Sequence, residues 1–197
     1  ATCRGHGALV YPARFSPDGA WLLTASDDGT ARLWEVATGA VRRVLVGHRA
    51  GVIDAAFDPA GAVVLTLGRD GAARLWDAAS GRLRHVLEHG DEDLSRGTFG
   101  PRGRLIATTA GDTVHLWDAA TGARTGVLTQ GERGVDVGDT AFSAGGELLV
   151  TLGRDGTVRR RATDPLPVAR RARPRELTAA ERDRYRVGPI GAVGVEW

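Results

Sequence analysis

Apolar residues in this chain come in short runs, each closed off by turn-forming residues, and no run is long enough for an ordinary helix. Four such runs are Trp21-Leu22-Leu23-Thr24, Val63-Val64-Leu65, Leu105-Ile106-Ala107 and Leu148-Leu149-Val150. Each follows a turn: Ser16-Pro17-Asp18-Gly19, Asp58-Pro59-Ala60-Gly61, Gly100-Pro101-Arg102-Gly103 and Ser143-Ala144-Gly145-Gly146. Each also precedes a second turn: Asp27-Asp28-Gly29, Arg69-Asp70-Gly71, Gly111-Asp112 or Arg154-Asp155-Gly156. Proline presets the first turn angle and glycine supplies positive φ, so these tetrads predict hairpins. After the second turn, apolar and polar positions alternate, as in Ala31-Arg32-Leu33-Trp34 and Ala73-Arg74-Leu75-Trp76, which is the pattern of a half-buried strand. Trp34, Trp76 and Trp117 stand 42 and 41 residues apart, the shorter step coming from a second turn one residue shorter in the third copy. A fixed period of this size means one supersecondary unit copied along the chain. The unit is an all-β sheet of four short strands, and four copies are present, at about 5–46, 47–88, 89–129 and 130–164.

Together, Gly5-His6 and Gly47-His48 at the head of a copy, Asp-Gly in its middle, and Leu33-Trp34-Glu35, Leu75-Trp76-Asp77 and Leu116-Trp117-Asp118 near its end resemble the WD40 repeat family over residues 4–161. The resemblance implies a β-propeller with one four-stranded blade per repeat, and a rigid platform for other macromolecules in place of an enzyme. Four blades fall short of the roughly seven usual for such propellers, so an incomplete or open arc is expected. The chain starts within a unit and holds no methionine, which makes a C-terminal piece of a longer protein the expectation. The fourth copy departs most from the pattern, with Arg160 and Arg161 where Leu and Trp belong.

The resemblance also implies a buried hydrogen-bonded tetrad, His6, Ser26, Asp28 and Trp34. Its second copy is His48, Asp70 and Trp76, with Gly68 in place of the hydroxyl. The third copy, with Trp117 and Asp118, and the fourth are expected to lack the His and hydroxyl. His, Ser and Asp together suggest a hydrolase triad, but no Gly-x-Ser-x-Gly elbow accompanies them, and recurrence with the repeat points to a structural network. His85 and His89 with Asp91, Glu92 and Asp93 suggest a metal site. Their strand spacing argues against a compact ligand set, and the acids read as a loop. No cofactor and no metal are expected, and there is no Walker-type loop and no lysine to build one.

Charge separates the blades from the C-terminal region. Residues 1–158 hold 16 arginines against 19 acids, whereas residues 159–186 hold 10 arginines against 4 acids. Residues 165–197 form a basic tail. In it, Thr178 followed by Glu181 is a capping-box signature for a short helix near 178–186. The string Arg175-Glu176-Leu177-Thr178 with Tyr185 resembles the segment after propellers in large bacterial signalling proteins, which carry an ATPase or kinase module upstream. Arginine without lysine fits coding from G+C-rich DNA. One cysteine and no apolar run near 18 residues fit a cytoplasmic protein without a membrane segment.

The expected function is therefore a non-catalytic protein- or peptide-binding scaffold or sensor, with Leu9, Tyr11, Arg49, Val52, Glu92 and Asp136 as candidate contact positions on the loops before the first and second strands. The alternative is a nucleic-acid-contacting protein using the arginine-rich tail; no aromatic platform is interleaved there, which weakens it.

Overall fold

The computed structural model describes residues 2–90, 92–129 and 136–163. They form strands and turns without a helix. The first sheet holds β1 (Val10–Phe15), β2 (Trp21–Ser26), β3 (Thr30–Glu35) and β4 (Val41–Val46). The second holds β5 (Val52–Phe57), β6 (Val63–Gly68), β7 (Ala72–Asp77) and β8 (Leu83–Glu88). The third holds β9 (Leu94–Phe99), β10 (Leu105–Ala110), β11 (Thr113–Asp118) and β12 (Arg124–Thr129), and the fourth β13 (Val137–Phe142), β14 (Leu148–Gly153) and β15 (Val158–Ala162). Every sheet is an antiparallel meander in chain order. The basic tail and the helix expected near 178–186 lie outside the described residues.

The turns close as their residues require. Gly29, Gly71 and Gly156 all adopt φ between 72° and 82° after their aspartates. At Gly71 a Cβ would also collide with the Gly90 carbonyl oxygen, so glycine is needed there twice over.

Successive sheets pack face to face, and the apolar face of each one closes on the next. Leu23, Ala25, Ala31, Leu33 and Leu45 of the first sheet meet Val52, Val64 and Trp76 of the second. Leu65, Leu67, Ala73, Leu75 and Leu87 then meet Leu94, Phe99, Ile106 and Trp117 of the third. Ala107, Val114 and Leu116 meet Val137 and Leu149 of the fourth. Strands β1, β5, β9 and β13 contact one another in turn along the inner side. The architecture is thus an open propeller-like arc of separate sheets, as the sequence pattern and the WD40 resemblance led us to expect.

The arc leaves its first face uncovered. Phe15 is 65% exposed, but its equivalent Phe99 is 9% exposed; Val10 is 49% exposed, but its equivalent Val52 is fully buried. Because the solvent already surrounds Phe15, Phe15→Ser is expected to change unfolding free energy by less than about 0.5 kcal/mol in urea denaturation. A larger loss would mean that something covers this face in solution.

The tetrad has a different hydroxyl from the one expected. Trp34 Nε1–H donates to Thr24 Oγ1 at 2.8 Å, Thr24 donates to His6 Nε2 at 2.8 Å, and His6 Nδ1–H donates to Asp28 at 2.8 Å. Ser26 instead accepts from the Asp28 backbone N–H within the turn. The register explains this. Trp34 lies opposite Leu22, so Thr24 is one pleat away on the same face and Ser26 two, about 13 Å along the strand. The second sheet repeats the chain in full through Thr66, at 2.8 Å from both Trp76 Nε1 and His48 Nε2, with His48 Nδ1 at 2.9 Å from Asp70. Gly68 therefore costs the network nothing; a Cβ there would strike His48 Nδ1 and Asp70 Oδ1. The third sheet also keeps a His and a hydroxyl, contrary to expectation. Trp117 donates to Thr108, Thr108 to His89 at 2.7 Å, and His89 Nδ1–H to the Leu87 carbonyl at 2.9 Å. In the fourth sheet Arg161 replaces the indole and donates to the Thr129 carbonyl.

Candidate binding surface

The loops that enter each first strand and the Asp-Gly turns between second and third strands lie at the same end of the sheets. Backbone bonds tie each pair together: Asp27 N–H donates to Leu9 O, Arg69 N–H to Gly51 O, and Arg154 N–H to Asp136 O. This end carries a cleft of about 380 Å³ spanning the second, third and fourth sheets, with Arg69, Glu92, Asp93, Ser95, Asp136 and Arg154 among its lining. Basic and acidic groups thus face a shared space. Arg69 also leans back to Asp27 of the first sheet, Nε to Oδ1 at 3.6 Å, a half-exposed pair that holds the guanidinium only weakly.

Two of the six candidate contact positions, Glu92 and Asp136, line this cleft. Leu9, Tyr11 and Arg49 are exposed elsewhere at the same end, and the Tyr11 hydroxyl donates to Asp27 at 3.2 Å. Val52 is a correction: it is fully buried between the first two sheets, because the first residue of β5 points into the inter-sheet core, and it cannot meet a partner. Arg69 and Arg154 were not among the candidates. Their signal was readable, since both precede the Asp of an Asp-Gly turn, the position Asp27 holds in the first copy.

Electrostatics beneath the cleft are set by buried rings. Glu92 Oε2 accepts from His115 Nε2 at 3.0 Å, so one wall carboxylate is anchored to a buried imidazole. That ring stacks on Trp117 and leans on His89, whose centroid lies 4.9 Å away. Burial pushes His89 down to about 4, with the neighbouring His115 adding to the effect. Burial also lowers His115, partly offset by Glu92. His85 and His89 part company: from the outer strand β8, His85 Nε2–H donates to the Ala120 carbonyl in the turn between β11 and β12, while His89 is turned inward to Thr108.

A second cavity, of about 300 Å³, lies where the four first strands come together, and Arg14, Asp54, Arg96 and Asp139 are its charged lining. Each first strand carries a one-residue bulge near its start, leaving Pro12, Ile53, Ser95 and Gly138 without a partner in the ladder. Bulges re-aim the side chains beside them. Proline is tolerated in β1 because it occupies this unpaired place.

The family description "WD domain, G-beta repeat" matches residues 1–35 and 39–77. Human ribosome biogenesis protein BOP1 is 58% identical over 45 residues, 22% of this chain and 6% of that protein. Human apoptotic protease-activating factor 1 is 60% identical over 35 residues, 18% of this chain and 3% of its own length. Ribosome biogenesis protein ERB1 of Debaryomyces hansenii is 50% identical over 36 residues, 18% and 4% respectively. The chain thus spans only a small part of these relatives, and the likeness is that of one repeat.

Proposed function

We propose, from the premise that residues 1–77 carry WD40 repeats and the later sheets continue the same unit, that this chain is a non-catalytic platform binding a protein or peptide at its loop end. WD40 repeats generally serve as interaction scaffolds and are generally non-catalytic. The observation that carries the reading is the loop-end cleft, which Arg69 and Arg154 line together with Glu92, Asp93 and Asp136. A rigid surface loses little entropy on binding, and charges of both signs select partners by complementarity.

The finer reading places this platform in a larger bacterial signalling protein, with a switch ATPase or kinase module upstream as effector. Its support is the tail resemblance around Arg175–Tyr185 and the arginine-only basic composition. BOP1, ERB1 and apoptotic protease-activating factor 1 are eukaryotic and bear on the repeat alone. The lone exposed Cys3 fits a reducing compartment, the cytoplasm.

Fluorescence anisotropy against a panel of labelled 15-residue peptides tests the platform. A bound peptide is expected to lose at least tenfold in affinity in the Arg69→Glu/Arg154→Glu double variant. Arg102→Glu, in the turn between β9 and β10 at the other end, is expected to leave it unchanged. Binding indifferent to the double variant would sink the reading. Affinity for mixed DNA with a steep salt slope, unaffected by the same double variant, would favour the nucleic-acid alternative.

A further inference from the structure

The inner cavity holds a carboxylate whose bonding is incomplete. Asp54 is 2% exposed, and the β5 backbone fixes it in place. Its Oδ2 accepts from the Gly97 backbone N–H of the neighbouring sheet at 2.9 Å. Glycine suits this approach, because a Cβ at position 97 would meet Leu67 Cδ1 at 2.5 Å and force that buried side chain to shift. Its Oδ1 is buried and accepts no hydrogen bond from the protein; Arg96 Nη1 comes only to 3.8 Å. A buried carboxylate oxygen without a donor is destabilising, so the site favours whatever brings one.

The four charged lining groups sum to zero, but they are not equally movable. Asp54 is anchored and buried, whereas Arg14, Arg96 and Asp139 are exposed, and the Arg96 side chain is about half exposed. The fixed charge on the wall is therefore negative, and the positive ones sit on long stems that can swing to solvent. Thr98 and Thr140 from the neighbouring first strands add hydroxyl-bearing side chains to the lining. An entering carboxylate would be repelled by the one group that cannot move, and an entering cation would find an oxygen that accepts no hydrogen bond and would displace Arg96 from its 3.8 Å approach.

We propose that this cavity is a binding site for a cationic side chain, the ammonium or guanidinium of a partner peptide, which donates to Asp54 Oδ1. The peptide as source rests on the platform reading; the cation site itself does not, and small cations probe it without any peptide.

The test titrates the full isotope-labelled chain with N-acetyl-arginine amide, N-acetyl-lysine amide and, as comparator, acetate, following the backbone amide of Gly97 by NMR. At least one cation is expected to shift Gly97 saturably, and acetate is expected not to. Asp54→Asn, which keeps the shape, is expected to weaken the cation at least tenfold. Arg96→Gln, which removes the competing guanidinium, is expected to strengthen it threefold or more. Were Asp54 simply a strut for Gly97, Arg96→Gln would change nothing, and that result overturns the proposal even if Asp54→Asn fails to fold. A Gly97 amide indifferent to both cations, or equally responsive to acetate, overturns it too. Such a failure alongside intact loop-end peptide binding would leave the platform reading standing.

Discussion

Replacing Trp76 by alanine is expected to lower the free energy of unfolding by about 3–5 kcal/mol, the range for truncating a large buried aromatic. Trp76 is 2% exposed and belongs to the core between the first two sheets, alongside Leu23, Leu33 and Val64. Its loss removes the wedge between neighbouring blades and strands Thr66, which otherwise accepts from its indole N–H. Set against a net stability of about 5–15 kcal/mol for a domain, this is a large fraction. Thr66→Val separates the polar part, since it keeps the volume but leaves the Trp76 N–H and His48 Nε2 without their partner. That variant is expected to cost about 1–3 kcal/mol. Ser26→Ala, which removes only a turn bond to Asp28, is expected to cost less than Thr24→Val in the first sheet. Urea melts of these variants decide the matter, and a Trp76→Ala loss below about 1 kcal/mol would mean the indole is not part of the packed core.

Acid should loosen the third blade first. His89 is buried and neutral, pushed down to about 4, while in the unfolded chain it titrates near its ordinary 6.5. Between those values the unfolded chain takes a proton that the folded chain refuses, so stability is complete above about pH 6.5 and declines toward pH 4. A shift of this size corresponds to about 3 kcal/mol. His48 acts in the same direction, lowered first by burial and also by Arg74. Asp54 acts oppositely, because burial raises its carboxyl and protonation favours the folded state. Asp28 enters only at lower pH, where protonation loses the bonds from Thr30, Gly7 and His6 that outweigh its burial. Thermal melts from pH 7.5 to 4.5 are expected to show a falling midpoint that is flatter in His89→Gln. An equal slope in both proteins would show that His89 does not carry the loss.

Much of this was legible in the sequence. The period of the tryptophans, the Pro-Asp-Gly and Asp-Gly turns and the alternation around Trp34 and Trp76 are local features, and they led directly to four antiparallel sheets in chain order. The tetrad was legible in its His, Asp and Trp members because each sits at a fixed offset within the copy. The hydroxyl was misassigned because the choice between Thr24 and Ser26 depends on cross-strand register, which composition does not display. Val52 was misplaced for a related reason: whether a strand's first residue faces a partner or the preceding sheet depends on how blades stack.

The sequence by itself determined the repeating unit, since turn chemistry and a two-residue alternation act within a few residues and need no distant contact. Only the tertiary structure decided which charges share a space. Arg69, Glu92 and Asp136 line one cleft though they belong to three sheets, and Asp54 meets Gly97 across two, at separations along the chain where packing sets proximity. The same packing decided that Phe15 is bare and Phe99 covered, although both end a first strand in the same local pattern. Burial there depends on a neighbouring sheet, and a neighbour is not encoded in the residue it covers.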